Sequence, residues 1–219
     1  MAASTYEKPD AWSIKARKEG YPARSVYKLE ELDKKFGILK PGSRVLDIGA
    51  APGSWSLWVL KRLSGKGFLA SVDLQPLGIS PAYDNFFFVR GDLYDAPIRA
   101  ALAEHGPYDV ILSDAAPSTS GNKGLDTDRS EAIVEAVLDY AEAMLKPGGS
   151  MVAKLFIGGG QRDILDRMKA MFTTARGSEL PDLPELSGQE AVVDRFLAKP
   201  FSRDAILEVI AQLFPSPAK

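Results

Sequence analysis

Five short apolar runs, each closing on a glycine or a charged residue, set the plan of the chain. Val45-Leu46-Asp47-Ile48 runs into Gly49, Phe68–Val72 into Asp73, and Phe86–Val89 into Gly91-Asp92. Tyr108–Ser113 closes on Asp114 and Ser150–Ala153 on Lys154. Between the runs, apolar residues recur at helical spacing, which predicts helices at roughly 54–63, 96–105, 128–145 and 160–171. Near-continuous apolar strands alternating with helices imply an α/β fold, with a mostly parallel central sheet and helices on both faces. Two further helices, at 10–19 and 24–36, precede the sheet and are split by Gly20-Tyr21-Pro22. In the second, Val26, Leu29, Leu32 and Phe36 form an apolar stripe, with Lys28 and Lys35 off it. Gly37 ends that helix, and Lys40-Pro41-Gly42 turns the chain into the first strand.

The polar residues at the strand ends carry the chemistry. In parallel sheets of this kind, ligands bind along the carboxyl edge of the strands. The stretch Val45 to Ser56 reads as strand, Gly/Pro turn and helix. Gly49 and Gly53 remove bulk where a ligand approaches the backbone, and the helix beginning near Trp55 offers free N–H groups. The spacing is not the G-x-G-x-x-G of dinucleotide folds. Asp73, at the end of the second strand, is placed to accept from ribose hydroxyls. Asp92 is placed to meet an adenine amino group. Any one such aspartate is equally well a helix cap or turn former; three at successive strand ends point to a ligand. The loop Asp114–Gly121 lies over the same edge, where an acceptor substrate would rest. Lys154 interrupts the apolar run Met151–Ile157, so it needs a nearby carboxylate or a chemical task, the alternative being an edge lysine that snorkels to solvent.

Composition narrows the class. The chain has 219 residues, 45% hydrophobic and 26% charged, which suits one α/β domain with its own core. No run of about 18 apolar residues exists to span a membrane. The polar stretch Met1–Asp10 lacks a signal core, so a cytoplasmic location is expected. With no cysteine there is no disulfide, thiolate metal site or cysteine nucleophile. The one histidine, His105, sits beside Gly106-Pro107 and reads as a surface residue rather than a base. A net charge of −2 provides no global field for nucleic acid, but Lys15, Arg17, Lys18, Arg24, Lys28, Lys34, Lys35 and Lys40 gather within one segment. A local basic face is therefore expected there, a solvated helix face being the plain alternative.

From about Trp12 to Phe172 the chain resembles the FtsJ/RrmJ-type ribosomal RNA ribose 2′-O-methyltransferases. The matching pieces are Lys18-Glu19-Gly20-Tyr21 with Ala23–Leu29, the loop Asp47–Ser56, Gly91-Asp92, Ser113–Pro117 with Ser120-Gly121, Asp128-Arg129-Ser130, Leu145–Gly149 and Val152–Phe156. They stand in the family's order and near its spacing. The resemblance implies a Rossmann-like fold, S-adenosylmethionine (S-adenosyl-L-methionine) as cofactor, and RNA as partner, ribosomal RNA within a ribosomal particle above all; methyl transfer needs no metal, and the sequence shows no metal-ligand cluster. It carries the family's Lys-Asp-Lys-Glu catalytic set to Lys28, Asp114, Lys154 and Glu190, and its cofactor contacts to Gly53, Trp55, Asp73 and Asp92, with Asp114 close to the reacting methyl; Gly49, read above from the turn itself, joins the cofactor-binding set. Glu190 is the weakest match, because Ser187-Gly188-Gln189-Glu190 is one residue longer than the family's segment and lacks its aromatic; Glu185 and Glu179 are rivals. The tail departs further, Phe196–Phe201 with an amphipathic stretch over 202–214 looking more like the close of a receiver domain. The expected organisation is residues 1–40 as basic, RNA-contacting helices, 41–176 as the methyltransferase core, and 177–219 as a divergent end completing the sheet, in a monomer.

Methyl transfer to a ribose hydroxyl requires in-line alignment and the management of one proton. On this reading Lys154 takes or steers the proton, Asp114 orients it, Lys28 holds the acceptor ribose or phosphate, and Glu190 helps place the hydroxyl. The target is expected to be a uridine of large-subunit ribosomal RNA. Two rivals stand beside it: a methyltransferase-like module that binds cofactor or RNA without turnover, and a methyltransferase acting on transfer RNA, a messenger RNA cap or protein.

Overall fold

The computed structural model describes residues 10–80, 82–118, 120–156 and 161–172, and two further strands at 174–179 and 193–198. The strands are β1 (Arg44–Ile48), β2 (Phe68–Asp73), β3 (Phe86–Arg90), β4 (Tyr108–Ser113), β5 (Leu145–Ala153), β6 (Thr174–Glu179) and β7 (Val193–Ala198). The helices are α1 (Ala11–Lys18), α2 (Val26–Phe36), α3 (Ser54–Leu63), α4 (Ala96–Ala103), α5 (Lys123–Met144) and α6 (Gln161–Met171). They build one sheet of order β3-β2-β1-β4-β5-β7-β6. The pairings among β1 to β5 are parallel, and those of β7 with β5 and β6 antiparallel. This is a Rossmann-like arrangement closed by an antiparallel hairpin, with the order of connection reversing between β1 and β4, where such sheets open their ligand crevice.

Strand alternation sorts the core into two layers. Val45, Leu69, Val110, Leu112 and Val152 face α2 and α3, meeting Leu29, Leu32, Trp55, Val59 and Leu60. Leu46, Ile48, Ala70, Val72, Ile111 and Met151 face the other way, onto Leu102 of α4, Val137 and Leu138 of α5, and Ile164 and Met168 of α6. All of these side chains are buried, and each Val, Leu, Ile or Met among them contributes on the order of 1.5–3 kcal/mol where fully removed from water.

Three expectations change in detail. Helix α5 begins at Lys123 rather than near 128, because Asn122 caps it by accepting from the Gly124 and Leu125 amides at 3.1 and 3.3 Å. Residues 10–40 are not separate from the core, since Leu29, Leu32, Ile38 and Leu39 pack in one cluster with Val45 of β1. The sheet's closing hairpin starts at Thr174, before the boundary at 177 drawn from sequence, and β7 pairs with β5 through Ser150–Ala198 and Met151–Leu197. Glu190 and the stretch 202–214 lie outside the described residues. No described helix is long and apolar enough to cross a membrane.

Candidate active site

The carboxyl edge of the sheet brings the strand-end residues together. Lys154 and Asp114 form an ion pair, Nζ to Oδ1 at 2.9 Å, with side chains only 12% and 19% exposed. The backbone makes this pairing: the Lys154 amide donates to the Ser113 carbonyl at 2.9 Å, so residues that end adjacent parallel strands stand side by side. The lysine that interrupts an apolar run thus has the carboxylate that its burial demands.

Helix α5 latches the chain just beyond Lys154. The Phe156 amide donates to Ser130 Oγ at 3.0 Å in a buried contact. Asp126 accepts from the amide of Ser120 at 2.9 Å and from its hydroxyl at 2.7 Å, closing the loop that Asp114 opens. Those bonds hold the Asp126 carboxyl below its usual range. Ser130→Ala orphans a buried amide, which costs about 1–3 kcal/mol. Thermal unfolding is expected to shift down by several degrees and kcat to fall more than KM, because the bond fixes the chain two residues beyond Lys154.

The glycine loop sits against the same segment. Gly49 has φ +79°, and a Cβ there would lie 2.5 Å from Ala115 Cα and Cβ. Gly53 has φ +111°, and a Cβ there would meet the Ile79 side chain at 2.6 Å. Both glycines are thus favoured by their left-handed backbone conformation, and Gly49 also by the close packing of Ala115. Helix α3 starts immediately after, its first intrahelical bond running from the Leu57 amide to Gly53 O, so the amides of Ser54, Trp55 and Ser56 precede the ladder.

Asp73 and Asp92 end neighbouring strands, tied by the Gly91 amide donating to Asp73 O at 2.9 Å. Both carboxylates also organise their own turns. Asp73 accepts from the Ala51 amide at 2.8 Å and the Gln75 amide at 2.7 Å, and Asp92 accepts from the Tyr94 amide at 3.0 Å. The turn-forming role and the ligand role are thus compatible, since an ionised carboxylate offers about four acceptor sites.

Trp55 is buried in the α2–α3 layer, and its indole Nε1 donates to Ser25 O at 2.9 Å. The Lys28 amide donates to the same carbonyl at 3.1 Å, so one oxygen couples the first turn of α3 to Lys28 on α2. The Ala23 amide adds a bond to Ser54 Oγ at 2.7 Å. Lys28 is itself buried, at 9% exposure. Trp55 thus joins the start of α3 to the N-terminal helices through a packed ring.

Asp47 carries no role in the sequence reading, yet it is the most constrained ionisable group near the site. It is fully buried, accepts from Ser56 Oγ at 2.6 Å on Oδ2, and its Oδ1 has no hydrogen-bond partner. Burial pushes its carboxyl up to about 7; the Ser56 bond opposes that, and the nearby charges of Asp114 and Asp73 add to it.

The basic face is narrower than the charge count suggests. Arg24 pairs with Asp10 at 3.1 Å, Lys34 with Glu30 at 2.7 Å and the exposed Lys15 more loosely with Glu19 at 3.9 Å, while Arg17 and Lys18 on α1 are exposed. His105 lies at the opposite edge of the sheet, against the ring of Phe68, which begins β2, and that of Phe87, second in β3, and its carbonyl accepts from Arg44. That edge also holds a cavity of about 410 Å³ between Lys40-Pro41-Gly42 and Lys146-Pro147-Gly148, away from the Asp114–Lys154 pair.

The FtsJ-like methyltransferase family profile matches residues 21–190. The chain belongs to the FtsJ-like methyltransferase family. Ribosomal RNA large subunit methyltransferase E of Treponema denticola is 50% identical over 176 residues, covering 80% of this chain and 88% of the relative. The protein of the same name from Sorangium cellulosum is 48% identical over 153 residues, covering 69% and 71%. Among solved structures, a Plasmodium falciparum chain described as a ribosomal RNA methyltransferase superposes with a TM-score of 0.70 at 27% identity, covering 83% of this chain and 98% of that one. The FtsJ-like match runs past Phe172, where the motif resemblance stops, to Glu190, so the segment before β7 belongs to the family's span.

Proposed function

We propose that this FtsJ-like enzyme transfers a methyl group from S-adenosylmethionine to a ribose 2′-hydroxyl of large-subunit ribosomal RNA, a uridine within a ribosomal particle, acting as a cytoplasmic monomer. The observation that carries the reading is the ion pair of Lys154 and Asp114 on the rim beside the glycine loop. The donor set fits the cofactor: two carboxylates on adjacent strand ends suit an adenosine, and the free amides at the start of α3 suit a carboxylate. When bound, S-adenosylmethionine supplies an activated methyl on a good leaving group.

The protein's own part is alignment and proton handling. Asp114 holds Lys154 at the rim, and Lys154 takes or steers the hydroxyl proton. Lys28, anchored through Ser25 and Trp55 to α3, holds the acceptor ribose or phosphate. Glu190 completes the family's set by sequence alone. Gly49 and Gly53 shape the loop, with Trp55, Asp73, Asp92 and Asp114 as cofactor contacts. The exposed α1 cations Lys15, Arg17 and Lys18 meet phosphate. Replacing Arg17 and Lys18 together by alanine is expected to lower the slope of log affinity against log salt by about 1.5 while leaving cofactor affinity unchanged, as read by filter binding.

The test is incubation with methyl-labelled S-adenosylmethionine and ribosomal subunits from cells lacking the modification. Label in large-subunit RNA is expected. Label confined to protein, or binding of the cofactor with no transfer to any fraction, overturns the proposal in favour of another acceptor or a non-catalytic module.

A further inference from the structure

Asp47 poses a physical problem that the proposed reaction does not use. A carboxylate with one oxygen unpartnered, entirely removed from water, is costly to keep ionised. Its surroundings are specific. Asp47 stands beside Ser71 of β2 and Leu112 of β4 in the sheet register, on the face covered by α2 and α3. Ser56, in the first turn of α3, donates to it at 2.6 Å and lies 3.1 Å from Ser71 Oγ. Asp47, Ser56 and Ser71 are each fully buried, making a polar ladder from β1 through the start of α3 to β2, within an otherwise apolar layer.

The ladder sits directly beneath the glycine loop. Gly49 comes two residues after Asp47, and Ser56 belongs to the turn whose amides face the rim. Titratable groups on the neighbouring elements are few. Strand β2 ends on Asp73, β4 leads to Asp114 with its partner Lys154, and α2 carries the buried Lys28 and Asp33. Asp33 is engaged by the Leu39 amide and Arg62 at the far end of α2 and α3. The charged residues of α3, Lys61 and Arg62, are in its last turn, leaving the Ser56 hydroxyl as what that helix presents to Asp47. The one histidine is at the other edge of the sheet.

We propose that Asp47 is a positioning residue, which sets the glycine loop and the first turn of α3 through Ser56 and Ser71 and gives up its proton when a cationic ligand reaches the Asp73–Asp114 rim. In the free chain, the charges of Asp73 and Asp114 and the lack of water favour the protonated form. The net positive charge of such a ligand, with its sulfonium and ammonium toward that rim and its carboxylate met by the α3 amides, offsets part of that repulsion. The proton then passes to the buffer, and the ionised Asp47 holds Ser56 by a stronger, charge-assisted bond. The proposal rests on the cofactor assignment above.

Linkage fixes the sign. If ligand binding favours ionised Asp47, affinity is full above about pH 7, where the free chain has already lost the proton, and weakens as pH falls below it. The experiment is titration calorimetry of S-adenosylmethionine, from pH 5.5 to 8.5, with the full chain and with Asp47→Asn and Ser56→Ala. Buffers of different ionisation enthalpy give the protons released. The wild-type protein is expected to release a fraction of a proton near pH 7 and to bind roughly fivefold more weakly at pH 6 than at pH 8. Asp47→Asn, which keeps an acceptor for Ser56, is expected to bind with no such dependence. Ser56→Ala is expected to bind more weakly throughout.

Binding by the wild-type protein without proton release near pH 7, or the same pH dependence in Asp47→Asn, overturns the proposal and leaves the cofactor assignment standing. No binding at any pH removes the cofactor assignment and the proposal with it. Proton release needs no variant, so a variant that fails to fold does not shield the idea. Unfolding of the ligand-free chain adds a second readout: a carboxyl whose folded value is raised stabilises most at low pH. The wild-type protein is therefore expected to lose stability relative to Asp47→Asn as pH rises from about 4 to about 7, and parallel profiles contradict the proposal.

Discussion

Lys154→Ala is expected to reduce methyl transfer by about a thousandfold, within the range for losing a positioned proton-transfer group, while changing S-adenosylmethionine affinity only a few-fold. The lysine is held 2.9 Å from Asp114 with both side chains mostly out of water, so its removal takes away the cation at the acceptor side and frees a carboxylate. Folding should survive, because the backbone bond from residue 154 to Ser113 O and the Ser130 latch on Phe156 do not involve the ammonium. Single-turnover transfer to undermethylated subunits, set beside calorimetry of cofactor binding, separates the two effects. Lys154→Arg sharpens the test. It keeps the positive charge but does not accept a proton, and its planar fork does not reproduce a point charge. Activity near that of alanine marks Lys154 as the group that takes the proton; substantial recovery marks it as a charge that steers it. Wild-type turnover in Lys154→Ala would remove the proton-handling role altogether.

Gly49→Ala is expected to be the most damaging small substitution on the rim. The new methyl would stand 2.5 Å from Ala115 Cα and Cβ and 2.7 Å from its amide nitrogen, on a residue with φ +79°. Left-handed strain for a residue with a side chain costs on the order of 1–3 kcal/mol, and forced overpacking typically adds a similar amount. Ala115 cannot yield cheaply, because the contact includes its backbone, next to Asp114. A loss of about 3–5 kcal/mol in unfolding free energy is expected by denaturant titration, together with weaker cofactor binding in whatever remains folded. Stability within about 1 kcal/mol of wild type would contradict the close approach of the two loops.

The fold is legible in the sequence because its signals are local and repeated. The runs that form β1 to β4 end where the structure ends them or within a residue, and α3 lies at 54–63 as the periodicity indicates. Lys154 stands out because an ammonium in an apolar run demands a partner, and Asp114 is that partner. The same logic applies to Asp47, a carboxylate inside Val45–Ile48, but there the glycines of the adjoining loop carry the stronger signal and mask it. Ser56 and Ser71 are invisible for a different reason: a buried serine pair is defined by strand register and by the first turn of a helix, neither of which is written locally. The Ser130 latch joins residues far apart in sequence, so a motif shows its presence but not its use. The glycines stand at the expected turns, and the structure adds a packing reason that local sequence does not show, Ala115 and Ile79 lying beside them. Charge totals overstate the basic segment, because they do not show that Arg24 and Lys34 are already paired.

Locating the transferred methyl within the RNA bears most directly on the Lys154–Asp114 assignment. Large-subunit RNA methylated by the purified enzyme is digested to nucleosides and resolved by mass spectrometry, with alkaline hydrolysis marking any blocked ribose. A single 2′-O-methyluridine that resists alkaline cleavage, absent with Lys154→Ala, is the expected product. A methyl group on a base, or an undiminished 2′-O-methyl product from Lys154→Ala, would contradict a rim built to take the proton from a ribose hydroxyl.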